Sequence, residues 1–361
     1  MVRKRVVIAM SGGVDSSVAA MLLKNKGFEV IGLTMCFGLG RDNDSRRPGC
    51  CGFEASRDAK RVADLLNIKH YNLNFADVLN KKVIKKFIDE YLKGRTQNPC
   101  VDCNREIKFR VLFNKAKELG ADFLATGHYA RVYQDKKTKK FFIKKAKDPL
   151  KDQSYFLYDI DKDILPQILF PLGEMTKQEV RALACKFRLP IADKPASQEI
   201  CFLNGTDYRL FLKDRFRKNV YKEGLIKDIK GNILGKHKGI PFYTIGQRTG
   251  LGIAYKEALY VIRIDSKHNL IIVGSKEHAF SKKLIVKNVY MEIDFPQRQK
   301  LELMTKIRYN HTPSLATVEP ISKFTFKINF KIPQFAVTPG QAAVFYKKDL
   351  LVGGGTIEES L

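Results

Sequence analysis

The sequence predicts an α/β protein in three parts: a parallel sheet covered by helices over residues 1–205, a small mixed segment over 206–275, and an antiparallel β-barrel over 276–361. Three observations predict it. Up to about residue 205, short apolar runs alternate with segments of helical periodicity, the pattern of parallel strands joined by crossover helices. A glycine-rich loop, Ser11-Gly12-Gly13, stands between the first apolar run and the first helical pattern. From about residue 276 the chain reads as short alternating strands, with turns at Pro313, Pro320, Pro333 and Pro339-Gly340.

The elements follow in order. Residues 6–10 form a buried strand; a helix over 18–26 ends at Gly27, and 29–35 is a second strand. Residues 53–67 are helical, with Ala59, Val62, Ala63 and Leu66 on one face, and 70–75 is a third strand. Val78, Leu79, Val83, Phe87, Tyr91 and Leu92 mark a long amphipathic helix. A loop over 94–104 precedes another helix, and 122–126 is a fourth strand. Residues 136–147 read as a very basic hairpin, and Thr176 with Glu179 as a capping box for a helix reaching Phe187. In such sheets, ligands bind beyond the carboxyl ends of the strands.

Composition narrows the partners. The 361 residues carry 65 Lys and Arg against 38 Asp and Glu, a formal net charge of +27. The excess is spread evenly, +14 over residues 1–200 and +13 over 201–361, so it is not a detachable tail. A body this basic suits a polyanion such as nucleic acid, whose neutralised phosphates release counterions; solvated lysine faces are the bland alternative. The basic hairpin and the run from Arg209 to Lys238 are candidate phosphate contacts. No stretch approaches the ~18 apolar residues of a membrane span. The first apolar run is shorter than the ~7–15 residues of a signal peptide. Seven cysteines, an odd number without an export signal, point to a reducing, cytoplasmic setting. Cys36 and Cys185 read as small core residues, and Cys50 and Cys51 as loop residues without an assigned role.

The sharpest motif is Ser11-Gly12-Gly13-Val14-Asp15-Ser16-Ser17. Glycines let the backbone approach an anion, and the following helix offers unpaired N–H groups. Asp15 is unusual among anion ligands, which suggests a Mg²⁺ or helix-capping role for it. No Gly-Lys-Ser/Thr follows, so this is not the Walker loop. Asn98-Pro99-Cys100-Val101-Asp102-Cys103-Asn104 places two thiols on a loop just before a helix, where the dipole and the charges of Arg105 and Lys108 favour thiolates. Cys201 follows far downstream in Ser197-Gln198-Glu199-Ile200-Cys201-Phe202. Distant thiols on one rim suit sulfur transfer, with one holding a persulfide and the other attacking or resolving it. Two alternatives stand beside this: zinc on C-x-x-C with Cys50-Cys51, and an iron–sulfur cluster on Cys100, Cys103 and Cys201.

The loop SGGVDSS resembles the PP-loop of the ATP pyrophosphatase family, and Ala125-Thr126-Gly127-His128-Tyr129 resembles its second nucleotide-facing segment. Over its full length the chain resembles the bacterial tRNA-specific 2-thiouridylase family, through AMSGGVDSS, GRTQNPCVDCNREIKF, ATGHYAR, KDQSYFLY, SQEICF, TIGQRTGLG, IRYNHTP and VTPGQAAVFY in that order. The resemblance implies a Rossmann-like PP-loop (adenine nucleotide α hydrolase-like) domain. It implies adenylation of C2 of a tRNA wobble uridine by ATP with Mg²⁺. Sulfur would then replace the oxygen, taken from a persulfide relayed by a cysteine desulfurase. ATP binding falls to Ala9, Met10, Ser11, Gly12, Gly13, Val14, Asp15 and Ser16, with Met35 and Gly127 near the adenosine. Cys103 becomes the nucleophile and Cys201 the persulfide carrier. Asn98, Pro99 and Cys100 would border the target base, beside His128; Lys151, Asp152 and Gln153 would touch tRNA, as would Arg308, Tyr309 and Gln341. One departure stands out: some members carry Asp at the position of Cys100, cast there as general acid/base, a role a thiol does not simply inherit. Sulfur could pass from Cys201 directly or as sulfide released by Cys103. A small-molecule PP-loop ligase would need neither thiol, and an RNA-binding protein with a degenerate loop would form no AMP.

Overall fold

The computed structural model describes residues 3–38, 53–195, 200–203, 205–216, 221–293, 295 and 299–361. Cys50, Cys51, the 197–199 part of the second thiol motif, and 217–220 of the basic run lie outside these. The chain divides into two compact units: Met1–Val83 with Cys100–Gly205 and Asp349–Leu351, and Ile84–Pro99 with Thr206–Lys348 and Val352–Leu361. Among the described residues no helix is long and apolar enough to cross a membrane.

In the first unit the chain runs β1 (Arg5–Ala9), α1 (Val14–Asn25), β2 (Glu29–Cys36), α2 (Phe53–Leu65), β3 (Lys69–Asn74) and α3 (Ala76–Leu79). A π-helical segment, Asn80–Ile84, links α3 to α4 (Lys85–Leu92), which belongs to the second unit, so the predicted amphipathic helix is one run with a widened turn. Next come α5 (Pro99–Asp102), a π-helical segment Cys103–Leu112 and α6 (Phe113–Glu118), again without a break. β4 (Phe123–Thr126), β5 (Ala130–Gln134), β6 (Phe141–Lys145), β7 (Ile168–Leu169) and α7 (Lys177–Lys186) complete it.

The sheet is parallel, ordered β3-β2-β1-β4-β7. Val6, Val7 and Ile8 of the central strand are fully buried, as a strand covered on both faces requires. β3 is an edge strand, and Tyr71 on it is exposed. β1 lies between β2 and β4, where the winding reverses, so the loop after β1 and the turn after β4 flank a topological switch point. α1 and α7 share the core through Val18, Ala19, Met21, Val180 and Ala184. The predicted capping box is formed: Glu179 N–H donates to Thr176 Oγ1 at 3.2 Å, and Thr176 N–H donates to Glu179 Oε2 at 2.6 Å.

Three expectations change here. Cys185 is exposed rather than a core residue, because α7 turns Val180 and Ala184 inward and leaves Cys185 outside. The basic hairpin begins earlier than expected: its strands are β5 and β6, and Lys136, Lys137, Lys139 and Lys140 sit at its turn. The thiol segment is not a loop before a helix, because Pro99 starts the helix, a position where its missing N–H costs nothing.

The second unit takes in α4 and continues with α8 (Tyr208–Arg215), β8 (Gly224–Asp228), β9 (Ile233–His237), β10 (Tyr260–Asp265) and β11 (Leu270–Gly274). These strands form one sheet ordered β10-β11-β8-β9. Then come β12 (Phe280–Met291), β13 (Leu301–Lys306), β14 (Ser314–Ser322), β15 (Thr325–Phe335), β16 (Ala342–Lys347) and β17 (Leu350–Ser360). They run β12-β15-β14-β13-β16-β17, and β17 pairs back onto β12, closing the antiparallel barrel. Leu284, Val286, Val318, Ile328, Phe330, Phe345 and Ile357 are fully buried in this unit. Pro320 and Pro333 are not turns: they lie inside β14 and β15. Register breaks between Pro320 and Ser322, and again where Gln334 and Asn329 face Ser281 and Lys283. Each proline therefore sits where the ladder is interrupted and needs no N–H donor from it.

Candidate functional site

The loop after β1 has the shape its sequence requires. Gly12 has φ +68°, and a Cβ there would lie 2.2 Å from the carbonyl oxygen of Ala55. Only glycine satisfies both constraints. Gly13 has φ −100° and is the N-cap of α1, with no side-chain cap. The hydroxyls of Ser16 and Ser17 donate to the Gly13 carbonyl at 3.2 and 2.9 Å, and Ser11 N–H donates to Ser16 Oγ at 3.1 Å. These bonds fix the loop before any ligand arrives. Ser11 is exposed, Ala9, Gly13, Asp15 and Met35 are half-buried, and Met10, Gly12, Val14 and Ser16 are buried. Gly127, after β4, backs directly onto Asp15 and Ser16.

Asp15 does not cap α1. Its Oδ1 accepts from the Tyr129 hydroxyl at 2.8 Å and from Lys177 Nζ at 2.5 Å. Burial, then the Asp15 charge, push the Tyr129 phenol above its ordinary range, so it remains a donor. Lys194 Nζ donates to the Gly12 carbonyl at 3.1 Å and pairs with Asp58 at 2.9 Å. The loop without a lysine of its own is thus flanked by two lysines brought from far along the chain. Residue reading missed both. One signal was available for Lys177: it is the first residue of α7, where the helix dipole disfavours a cation.

His128 is buried between Phe109 and Phe170, each ring centroid 6.0 Å away. Lys108 Nζ faces Nε2 at 3.4 Å, and Thr126 Oγ1 lies 2.7 Å from Nδ1. With a lysine donating to Nε2, the network assigns the proton to Nδ1, which donates to Thr126. Burial first, and Lys108 second, hold this imidazole well below its usual pKa, so it is neutral.

On the thiol helix, Cys103 is buried and Cys100 half-buried; Cys201, at the start of a short 3₁₀ turn, is half-buried. Cys100 is the second residue of the helix and Cys103 the fifth, so Cys100 lies nearer the end where the dipole acts. The positive field expected from Arg105 is largely consumed. Its guanidinium donates to Asp102 at 2.7 Å, to Glu106 at 2.9 Å and to Asp159. Burial opposes that charge, and the carboxylates of Asp159 and Asp102 more than reverse the effect. Lys108 points to His128. Asp102 is likewise committed, buried in its pair with Arg105. Asn104, next to Cys103, is buried with its Nδ2 donating to Phe156 O at 3.4 Å and its Oδ1 unpartnered among the described residues. Among the described residues, no group of three or more His, Cys, Asp or Glu is placed to hold a metal ion.

Asp152 is buried, and its carboxylate accepts from Ala146 N–H, Ser154 N–H and the Ser154 hydroxyl. Gln153 Oε1 accepts from Tyr129 N–H at 3.0 Å, and Lys151 is half-buried beside them. In the second unit, Arg308 Nη1 donates to Phe335 O at 2.8 Å, and Lys306 lies 5.3 Å from the Tyr309 ring centroid. Thr96 N–H donates to Pro339 O at 2.9 Å, and Gln341 Nε2 donates to Thr96 O at 2.9 Å. Gln341 therefore fastens the backbone leading into Asn98, which is half-buried, and Pro99, which is buried.

Three family models match the chain. They are described as a tRNA methyl transferase HUP domain over residues 4–205, a tRNA methyl transferase PRC-barrel domain over 209–275 and an aminomethyltransferase β-barrel domain over 281–357. Among curated proteins, the tRNA-specific 2-thiouridylase MnmA 1 of Caldanaerobacter subterraneus subsp. tengcongensis is 49% identical, covering 100% of this chain and 99% of that protein. The tRNA-specific 2-thiouridylase MnmA of Desulforamulus reducens is 47% identical over 100% of this chain and 98% of that one. The protein of that name from Clostridioides difficile is 46% identical over 99% of each. With likeness of this depth along both units, the chain belongs to the tRNA-specific 2-thiouridylase family.

Proposed function

We propose that the chain is an ATP-dependent tRNA sulfurtransferase that converts a wobble uridine to 2-thiouridine. Two domain descriptions speak of methyl transfer, but the full-length relatives are named for thiolation. One observation carries the reading: a loop shaped for phosphate, with Gly12 at φ +68°, stands in the same unit as Cys103 and Cys201. Methyl transfer needs no such loop and no thiol pair.

The loop backbone between β1 and α1 would hold the ATP phosphates, and Mg²⁺ carried with them would lower their charge. The uridine O2 forms a bond to the α-phosphorus, the bond to the β-phosphate breaks, and pyrophosphate leaves with the electron pair. The N3 proton passes to solvent. Cys201 carries a persulfide from the donor; its outer sulfur bonds to C2, and AMP departs with the electrons of the C–O bond. The Cys103 thiolate then attacks Cys201 Sγ. The S–S bond to the transferred sulfur breaks with its electron pair going to that sulfur, N3 takes a proton back from solvent to give 2-thiouridine, and a Cys103–Cys201 disulfide awaits an external thiol reductant.

The basic surface would bind the anticodon stem, and a wobble base in a loop can be extruded at modest cost. Cys103→Ser tests the scheme: AMP formation with tRNA should persist while thiolation stops. Normal thiolation by that variant would remove Cys103 from its role.

A further inference from the structure

The PP-loop sequence contains no cation, yet the reaction proposed above expels a pyrophosphate. Lys177 answers that need. Its side chain is only 13% exposed, its Nζ sits 2.5 Å from Asp15 Oδ1, and it lies 6.0 Å from the Tyr129 ring centroid. The first turn of α7 is fixed in place: Thr176 closes its capping box, and Lys177 N–H donates to Asp148 Oδ2 at 2.9 Å. Lys177 thus has a fixed base and a charged tip that rests on the one acidic residue of the loop. A half-buried ammonium–carboxylate pair contributes little to folding, because desolvation and solvent screening offset much of its attraction. The pair makes better sense as a stored charge.

We propose that Lys177 is a catalytic residue that binds the departing pyrophosphate, and that Asp15 holds it in reserve until nucleotide arrives. This rests on the reading of the loop as an ATP site. When nucleotide enters with its divalent cation, Asp15 turns to the cation and Lys177 to the phosphate oxygens. Only charge is exchanged: Lys177 transfers no proton, and the bond changes are those given above. Tyr129 holds Asp15 by its second contact, which keeps the carboxylate in place while its partner changes.

The test is calorimetric, on the full chain, with Mg²⁺-pyrophosphate and AMP as separate probes. Lys177→Met should weaken pyrophosphate binding about 10- to 100-fold, the loss expected for charge-assisted hydrogen bonds, and leave AMP binding within about twofold. Lys177→Arg should recover part of the loss. Equal pyrophosphate binding by Lys177→Met and the unaltered chain overturns the proposal, as does parallel loss of both probes. An unaltered chain that binds neither probe overturns the ATP reading itself. Should Lys177→Met fail to fold, amine labelling of the unaltered chain decides. Protection of Lys177 by pyrophosphate but not by AMP supports the proposal, and equal labelling with and without pyrophosphate overturns it.

Discussion

Gly127 packs so closely on Ser16 that a Cβ there would lie 2.8 Å from the Ser16 backbone nitrogen. The turn after β4 and the start of α1 are therefore locked backbone to backbone at the point where the sheet reverses its winding. Gly127→Ala should push these segments apart. We expect a folded chain by circular dichroism whose ATP affinity, measured by calorimetry, is reduced by at least about tenfold, roughly 1.4 kcal/mol. Unchanged affinity would show that the close approach is not needed.

The two loop glycines should respond very differently. Gly12→Ala places a Cβ in left-handed backbone, which costs roughly 1–2 kcal/mol before its clash with Ala55 is counted. Gly13→Ala meets only Ser11 Oγ, at 3.5 Å, and should fold like the unaltered chain. Urea unfolding of both variants checks the contrast; equal stabilities would contradict the loop geometry.

His128 gives a pH dependence with a defined sign. Its folded-state pKa is depressed, so below about pH 6.5 the unfolded chain takes up a proton that the folded chain refuses. Stability should therefore be intact above that pH and fall below it, by up to about 1.4 kcal/mol per pH unit from this residue. His70, His237 and His311 are also depressed by burial, so the measurement is the difference between the unaltered chain and His128→Gln. The variant should show a shallower acid slope, and an identical slope would show that His128 takes a proton in the folded state.

The β5–β6 hairpin predicts a salt signature. Asp135 Oδ1 accepts from Lys137 N–H, Thr138 N–H and the Thr138 hydroxyl, which stiffens a turn carrying four lysines. Replacing Lys136, Lys137, Lys139 and Lys140 with Gln should lower the log–log salt slope of tRNA binding by about 0.7–0.9 for every phosphate that is no longer neutralised. An unchanged slope would return these residues to the solvated surface.

Much of this was legible in the residues because the signals were local. Ser11 to Ser17, the Thr176–Glu179 box and the alternation of apolar runs each report on a few neighbouring positions. Pro320 and Pro333 misled because a proline at a register break looks the same in sequence as a proline in a turn. Arg105 misled because Asp159, which helps neutralise it, is distant in the chain. Lys194 had no local signal and Lys177 only its unfavourable place at the start of α7, because the folding of α7 and the segment after it brings them to Gly12 and Asp15.

The most direct test of sulfur transfer mixes this chain with an unmodified wobble-uridine transcript, α-labelled ATP and a persulfide donor, and counts products. One AMP and one pyrophosphate should appear for each 2-thiouridine, and none without the transcript. Nucleotide cleavage that ignores the transcript, or RNA that gains no sulfur while AMP accumulates, would contradict the assignment.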